Sequence, residues 1–297
     1  MGFDRNHLRA FSAAVAEGTL DGAARVLGVT PSAVSQRLRA LEVATGRVLL
    51  VRSKPVRVTS SGQAVLLLAR QLELLEADAA VALGAEAGRP LPIAVNADSL
   101  ATWVLPALAP LATDAAFHLL REDERRTSEL LRGGEVYGAV TTEAESVAGC
   151  LVTPLGLMRY RAVAAPAFAE RWFPHGITAA GLACAPMLVF DRDDPLQHAF
   201  LAAHGPAGAT PPTHMVPASA DFAAAVRLGF GWAFLAELQL DGSLVELAPD
   251  APTDVALHWQ RWRLRSAALE RLTTAIVAGA RRALLPEARS RDVTIIR

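Results

Sequence analysis

Apolar residues in the first 60 positions recur at helical spacing in three short runs separated by glycines. Leu8, Phe11 and Val15 step by three and four behind Asp4, a residue suited to cap a helix, and the run stops at Gly18. Leu20, Ala23, Ala24 and Leu27 follow the i, i+3, i+4, i+7 pattern behind Thr19 and close at Gly28. After Val29, Thr30 caps a third run, with Pro31 in the first turn, where its missing N–H costs nothing. Val34, Leu38 and Leu41 form the stripe of that third run. Helix, glycine turn and capped helix in this order predict a helix-turn-helix.

From residue 48 the period changes. VLLVRSKPVRVT, residues 48–59, sets two β-prone stretches around Ser53-Lys54-Pro55 and predicts a short hairpin with Arg52, Lys54 and Arg57 near its tip. Helical spacing returns from Ser61 to about Gly84. Leu68, Leu72, Leu75, Ala79 and Ala82 advance there by four and three, a seam of the kind that pairs two helices. The alternative is one face of a helix resting on its own domain. AEAGRPLP, residues 85–92, keeps neither period and reads as a linker.

Beyond the linker the pattern alternates. PIAVN, FHLL, YGAVTT, RYRAVAA, PMLVF and GWAFL predict strands. The stretches after Ser99, after Arg126, around 166–172, after Pro195 and from 219 to 228 predict helices, and a last helix over 266–285 ends before Pro286. Such alternation implies an α/β domain with largely parallel sheets. Its size suits two similar lobes with a cleft between them.

Composition narrows the function classes. The 297 residues are 52% hydrophobic and 20% charged, the balance of a folded chain. No apolar run reaches the length of a membrane span, and the N-terminus carries an acid where a signal peptide would begin its apolar stretch. Cys150 and Cys184 give neither a disulfide framework nor a metal spacing, and are expected to be buried thiols in a reducing cytoplasm. The net charge of −1 conceals a split: residues 1–60 hold nine bases and four acids, while the remainder holds 20 bases and 26 acids. A basic head on an acidic body suggests that the head meets a polyanion.

The third helix shows where. With Val34 at zero and 100° per residue, Leu38 and Leu41 fall within about 40° of it, whereas Ser32, Gln36 and Arg39 fall at roughly 160°, 200° and 140°. Glutamine suits adenine and arginine suits guanine in a major groove. Thr30, Pro31, Ser32 and Ser35 lie near the helix start, where free N–H groups suit a phosphate. Arg37 flanks the apolar stripe and is expected to support rather than read. Any surface helix turns polar residues to water, but the glycine turn before this one and the basic hairpin after it make a winged helix-turn-helix. Arg52, Lys54 and Arg57 of the wing are placed for backbone or minor-groove contact with double-stranded DNA.

The run LRAFSAAVAEGTLDGAARVLGVTPSAVSQRLRALEVATGRVLLVRSKPVRVTSSGQAVL resembles the N-terminal region of LysR-type transcriptional regulators over about 65 residues without a gap. Leu50 departs from the phenylalanine many members carry, a change expected to alter packing rather than recognition. TPSAVSQR, LLVRSKP, IAVNADSLATW, RED, GAVTTE, FDRDD and HWQRW are similar to the ArgP/LysG-like subgroup. The resemblance implies an α/β multidomain chain. Residues 1–60 would form the winged helix-turn-helix, 61–90 a dimerising linker helix and hinge, and 91–297 a two-lobed effector domain like a periplasmic binding protein. Lobe I would take 91–163 and 265–297, and lobe II 164–264. It further implies a homodimer or homotetramer, a lysine, arginine or histidine effector, control of genes such as an amino-acid exporter, and RNA polymerase as a further partner.

The residues beyond the strands suit that chemistry. In an α/β lobe, ligands sit past the C-terminal strand ends. Asn96-Ala97-Asp98-Ser99 follows PIAVN, Thr141-Thr142-Glu143 ends YGAVTTE, and Asp191-Arg192-Asp193-Asp194 follows PMLVF. Ser99 and Thr142 could hold an α-carboxylate. Asp98, Glu122, Asp123, Glu143, Asp193 and Asp194 could hold a cationic side chain. Each has a plainer alternative: Asp98 and Asp194 as N-caps, Thr141 and Thr142 as strand ends, Glu122 and Asp123 as part of a solvated REDERR loop. Trp103, Trp232, Trp259 and Trp262 read as core or interface. No nucleophile motif, P-loop, metal-binding pair of histidines or clustered His/Cys set is present, so no catalytic residue, metal or cofactor is expected. The competing reading is a regulator of the same type that answers to a different small carboxylate metabolite.

Overall fold

The computed structural model describes residues 2–51, 53–85, 90–121, 124–192 and 194–286. Its first three helices are α1 (Arg5–Glu17), α2 (Leu20–Leu27) and α3 (Pro31–Thr45). Each begins at the expected cap. The Asp4 carboxylate accepts from the Asn6 and His7 amides, Thr19 from Gly22 and Thr30 from Ala33. Each ends at a left-handed glycine, Gly18, Gly28 and Gly46 with φ of 66°, 65° and 63°. The antiparallel wing pairs β1 (Leu50–Val51) with β2 (Arg57–Val58) in the register Leu50↔Val58, and the Val56 amide donates to Gly18 O at 2.9 Å. Leu8, Phe11, Val34, Leu38, Leu41 and Leu50 close the head's core.

Helix α4 (Ser60–Ala82) contributes Val65, Leu66 and Ala69 to that core. It starts hard against the wing, where a Cβ on Gly62 would lie 2.2 Å from Leu49 O. Further along, Leu72, Leu75, Ala79 and Ala82 of the seam are exposed.

The remaining elements are β3 (Leu91–Val95), α5 (Ala97–Ser99), a π-helical turn over Leu100–Val104, α6 (Leu105–Leu108), β4 (Phe117–Arg121), α7 (Glu124–Arg132), β5 (Gly138–Thr141) and β6 (Cys150–Ala164). Then follow α8 (Pro166–Trp172), α9 (Ala179–Cys184), β7 (Met187–Val189), α10 (Pro195–His204), β8 (Thr213–Met215) and α11 (Ser219–Arg227). The last are β9 (Ala233–Ala236), β10 (Val245–Glu246), β11 (Thr253–Trp262) and α12 (Ala267–Ala283).

The expectation of largely parallel sheets needs correcting. β3 pairs in parallel with β4 and β5, and β7 with β8, but β6 runs antiparallel to β11, β9 and β10, and β11 antiparallel to β5. The reason is that β6 and β11 are long strands shared by both lobes, which need two crossings of opposite sense. Their register shifts between Leu257 and His258, beside Gly156 at φ 132°, where a Cβ would meet Leu285 O at 2.5 Å. Trp103, Trp232, Trp259 and Trp262 are buried; the Trp259 indole donates to Thr273 and that of Trp262 to Leu131 O. Cys150 is buried, which pushes its thiol up to about 11, but Cys184 is exposed, contrary to expectation, because it ends the short α9 at the surface.

Candidate functional site

Two sites stand out, one in the head and one in the body. The first is the outer face of α3. Val34, Leu38 and Leu41 are buried, and Ser32, Gln36 and Arg39 are exposed. Ser35 and Arg37 sit between, half-buried. Hydrogen bonds from the His7 and Asn6 amides hold the Asp4 carboxyl below its ordinary value, with the charges of His7 and Arg37 adding to them. Arg37 stands at the flank of the reading face. The Thr30 hydroxyl is engaged in capping at 3.2 Å from the Ala33 amide, and Pro31 opens the helix. Lys54 and Arg57 are exposed on the wing; Arg52 lies outside the described residues.

The second site is the cleft between the lobes. Asn96, at the cap of α5, makes no side-chain capping bond, and its buried Oδ1 has no partner among the described residues. Ser99 is fully buried and its Oγ is likewise unpartnered there. Between them, Asp98 is not a cap. Its Oδ2 accepts from the Tyr160 hydroxyl at 2.7 Å and its Oδ1 from Ser219 Oγ at 2.6 Å, while Gln239 Nε2 donates to the same Ser219 oxygen at 2.9 Å. Tyr160 lies on β6, the strand that both lobes share, and Ser219 opens α11, so this carboxylate of lobe I is held by one hydroxyl of the shared strand and one of lobe II.

Asp194 does cap α10, accepting from the Leu196 amide at 3.2 Å, and also accepts from the Phe190 amide at 2.9 Å. The buried Gln197 amide, turned with its nitrogen toward the carboxylate, lies 3.0 Å from both Asp194 oxygens. Burial pushes the Asp194 carboxyl above its ordinary value; the Phe190 and Leu196 amides oppose that, and the charges of Asp191 and Asp98 add to it. Asp98 from one lobe and Asp191 and Asp194 from the other therefore share one electrostatic neighbourhood. Asp193, Glu122 and Asp123 lie outside the described residues.

The third strand end is held from beneath. Thr141 is buried, and its Oγ1 accepts from the Glu143 amide at 3.2 Å, the role of a residue that ends a strand. Thr142 and Glu143 are half-buried, and Ser128 Oγ on α7 donates to Glu143 Oε2. The fully buried Gln260 donates to the carbonyls of Glu143 and Glu145, both at 2.9 Å, and accepts from the Val147 amide at 3.1 Å. Tyr160, Ser219, Gln239 and Ser128 join this region without having been singled out as site residues, and Asp191 had been named only as part of its strand-end run. Ser219 carried a usable signal, a hydroxyl at the start of a foreseen helix; Tyr160 lies mid-strand and carried none.

The comparisons with known proteins fall on both sites. Residues 5–63 match the bacterial regulatory helix-turn-helix proteins of the lysR family, and residues 84–281 match the LysR substrate binding domain. The lysine export transcriptional regulatory protein LysG of Corynebacterium glutamicum is 42% identical over 279 residues, which cover 91% of this chain and 95% of that protein. The crystal structure of ArgP from Mycobacterium tuberculosis superposes with a TM-score of 0.84 at 42% identity, covering 95% of this chain and 98% of that one. Full-length LysG from Corynebacterium glutamicum with bound effector Arg superposes with a TM-score of 0.79 at 40% identity, covering 95% and 100%.

Proposed function

The chain belongs to the LysR family of transcriptional regulators, and on that premise we propose that its effector is a basic amino acid, arginine or lysine, bound between the two lobes. It is a DNA-binding regulator and not an enzyme. The observation that carries the effector assignment is the Asp98 carboxylate held across the cleft by Ser219, with its charge and that of Asp191 both helping to push the Asp194 carboxyl up. Carboxylates so placed repel one another in the empty cleft, and a guanidinium or ammonium group would relieve that repulsion and favour closure. Asp193 would join them. At the other pole the buried, unpartnered hydroxyl of Ser99 suits the α-carboxylate, and Asn96 and Thr142 at the neighbouring strand ends would complete that pole. The LysG structure with bound arginine, at 40% identity, supports the same ligand class, and the lysine-export name of that relative supports an amino-acid exporter gene among the targets.

On DNA, Ser32, Gln36 and Arg39 would read base edges, while Thr30, Pro31, Ser35, Arg37, Arg52, Lys54 and Arg57 would set the helix and wing on the backbone. The exposed seam Leu72, Leu75, Ala79 and Ala82 suits pairing of two α4 helices, so that two heads reach two half-sites. The protein would act in the cytoplasm, as a dimer or tetramer, within reach of RNA polymerase. The test is an operator selected from a random duplex library by the full-length protein, followed by fluorescence anisotropy with and without arginine or lysine. A basic amino acid should change the affinity or stoichiometry of the complex. No effect from either, together with an effect from an anionic metabolite, would overturn the assignment.

A further inference from the structure

Helix α7 links the effector cleft to α4. At its middle, Ser128 Oγ donates to Glu143, a carboxylate at the end of β5 on the effector cleft. Its last turn ends at Gly133-Gly134, where the chain reverses into β5 with Gly134 at φ 71°. The reversal lies directly under α4: a Cβ on Gly134 would sit 3.5 Å from Leu67 Cα and 3.4 Å from Arg70 Cδ. Arg70 donates from its guanidinium to Gly134 O. Burial lowers the pKa of Arg70, while the charges of Glu135, Tyr137 and Glu73 raise it. The charged head is thus held in a mostly buried place by the turn that ends α7.

The rest of α4 is seated less firmly. Beyond Arg70, a cavity of about 350 Å³ separates α4 from lobe I, lined by Leu74, Ala77, Asp78, Leu91, Ala115 and Arg271 among others. Across it, Asp78 Oδ1 accepts from the Ala268 amide at 3.3 Å, and its buried Oδ2 finds no donor among the described residues. At the head side, Arg5 Nη2 donates to Glu76 Oε2 at 2.7 Å, so α1 of the head moves with α4. One close contact, one open space and one tie to the head are the parts of a pivot.

The geometry points to α7 as the element that carries effector occupancy to the DNA-binding head, with Arg70 as the positioning residue on α4 that reads it. A ligand that engages Glu143 shifts a rigid nine-residue helix through Ser128 at its middle. The Gly134 end shifts with it, and the Arg70 bond turns α4 about that point into the space beyond. Arg70 touches no effector, so it transmits without binding. This inference rests on the basic amino-acid reading above.

The test uses the full-length protein, Arg70→Met, which keeps the stem and loses the donors, and Arg70→Lys, which keeps a cationic donor. Calorimetry with L-arginine is paired with hydrogen–deuterium exchange of the α4 amides. Wild type should bind arginine and change α4 exchange by roughly fivefold or more, the low end of ordinary coupling between sites. Arg70→Met should bind arginine within about threefold of wild type while its α4 exchange no longer responds, and Arg70→Lys should recover the response in part. An undiminished α4 response in Arg70→Met overturns the inference, as does wild-type binding with no α4 response. Loss of arginine binding in Arg70→Met also overturns it, because Arg70 would then support the pocket rather than relay from it. No heat with wild type would sink the effector reading and this inference together.

Discussion

Gln36 and Arg39 stand on one exposed face of α3 while Lys54 and Arg57 stand on the wing, and the two pairs should fail differently. Gln36→Ala or Arg39→Ala should cost about 1–3 kcal/mol of operator affinity and relax preference at one base position. Lys54→Ala or Arg57→Ala should weaken all sequences alike and lower the salt slope by about one; anisotropy titrations at several salt concentrations separate the two patterns. In the cleft, the raised Asp194 carboxyl binds its proton more tightly when folded than when unfolded. It therefore favours the folded state in acid and loses that contribution as pH rises through its raised value. A cationic effector needs the ionised form, so its affinity should climb over the same interval and then level off. Asp194→Asn keeps an acceptor for the capping amides but should lose about 1.5–3 kcal/mol of effector affinity and flatten the climb. An unchanged pH profile in that variant, read by calorimetry, would remove Asp194 from the cation pole.

The helices of the head could be read because each is bounded by residues whose reason for being there is local. Asp4, Thr19 and Thr30 cap, Gly18, Gly28 and Gly46 turn left-handed, and the apolar steps between them are buried, apart from Val15, Leu20 and Leu27, which are half-buried against the same core. The long strands could not be read in the same way. β11 runs from exposed and half-buried positions at Thr253–Ala256 to buried ones at Leu257–Gln260 without alternation, because it passes from one lobe into the other. The same passage hid the cleft's partners: Asp98, Tyr160 and Ser219 meet only when β6 and α11 return lobe II to lobe I. The strand-end acids were visible, but which of them face one another was not. Among the helices, α12 lies on α6 at Gly279, where a Cβ would come within 2.3 Å of Ala107 Cβ. Gly279→Ala should cost about 1–3 kcal/mol in overpacking. In a thermal scan the effector-domain transition should fall by about 2–4 °C per kcal/mol. A variant as stable as wild type would show that these helices have room to separate.

At the scale of the molecule, a basic head, a helix with an exposed apolar seam and an acidic two-lobed body form one device. On the proposed function, binding in the body would bias the placement of the head, and such a bias is reciprocal, so operator DNA should shift effector affinity by the factor with which the effector shifts operator affinity. The alternative effector, a carboxylate without a cationic group, would have to enter beside Asp98, Asp191 and Asp194 with nothing to offset them. The most direct test is calorimetry of the full-length protein with L-arginine and with L-citrulline, which has nearly the same shape and no charge. Arginine should bind one per chain and citrulline at least about tenfold more weakly, since a charge-assisted bond contributes about 1.5–3 kcal/mol. Equal affinity for the two, or binding of an anionic metabolite with no heat from arginine or lysine, would contradict the account.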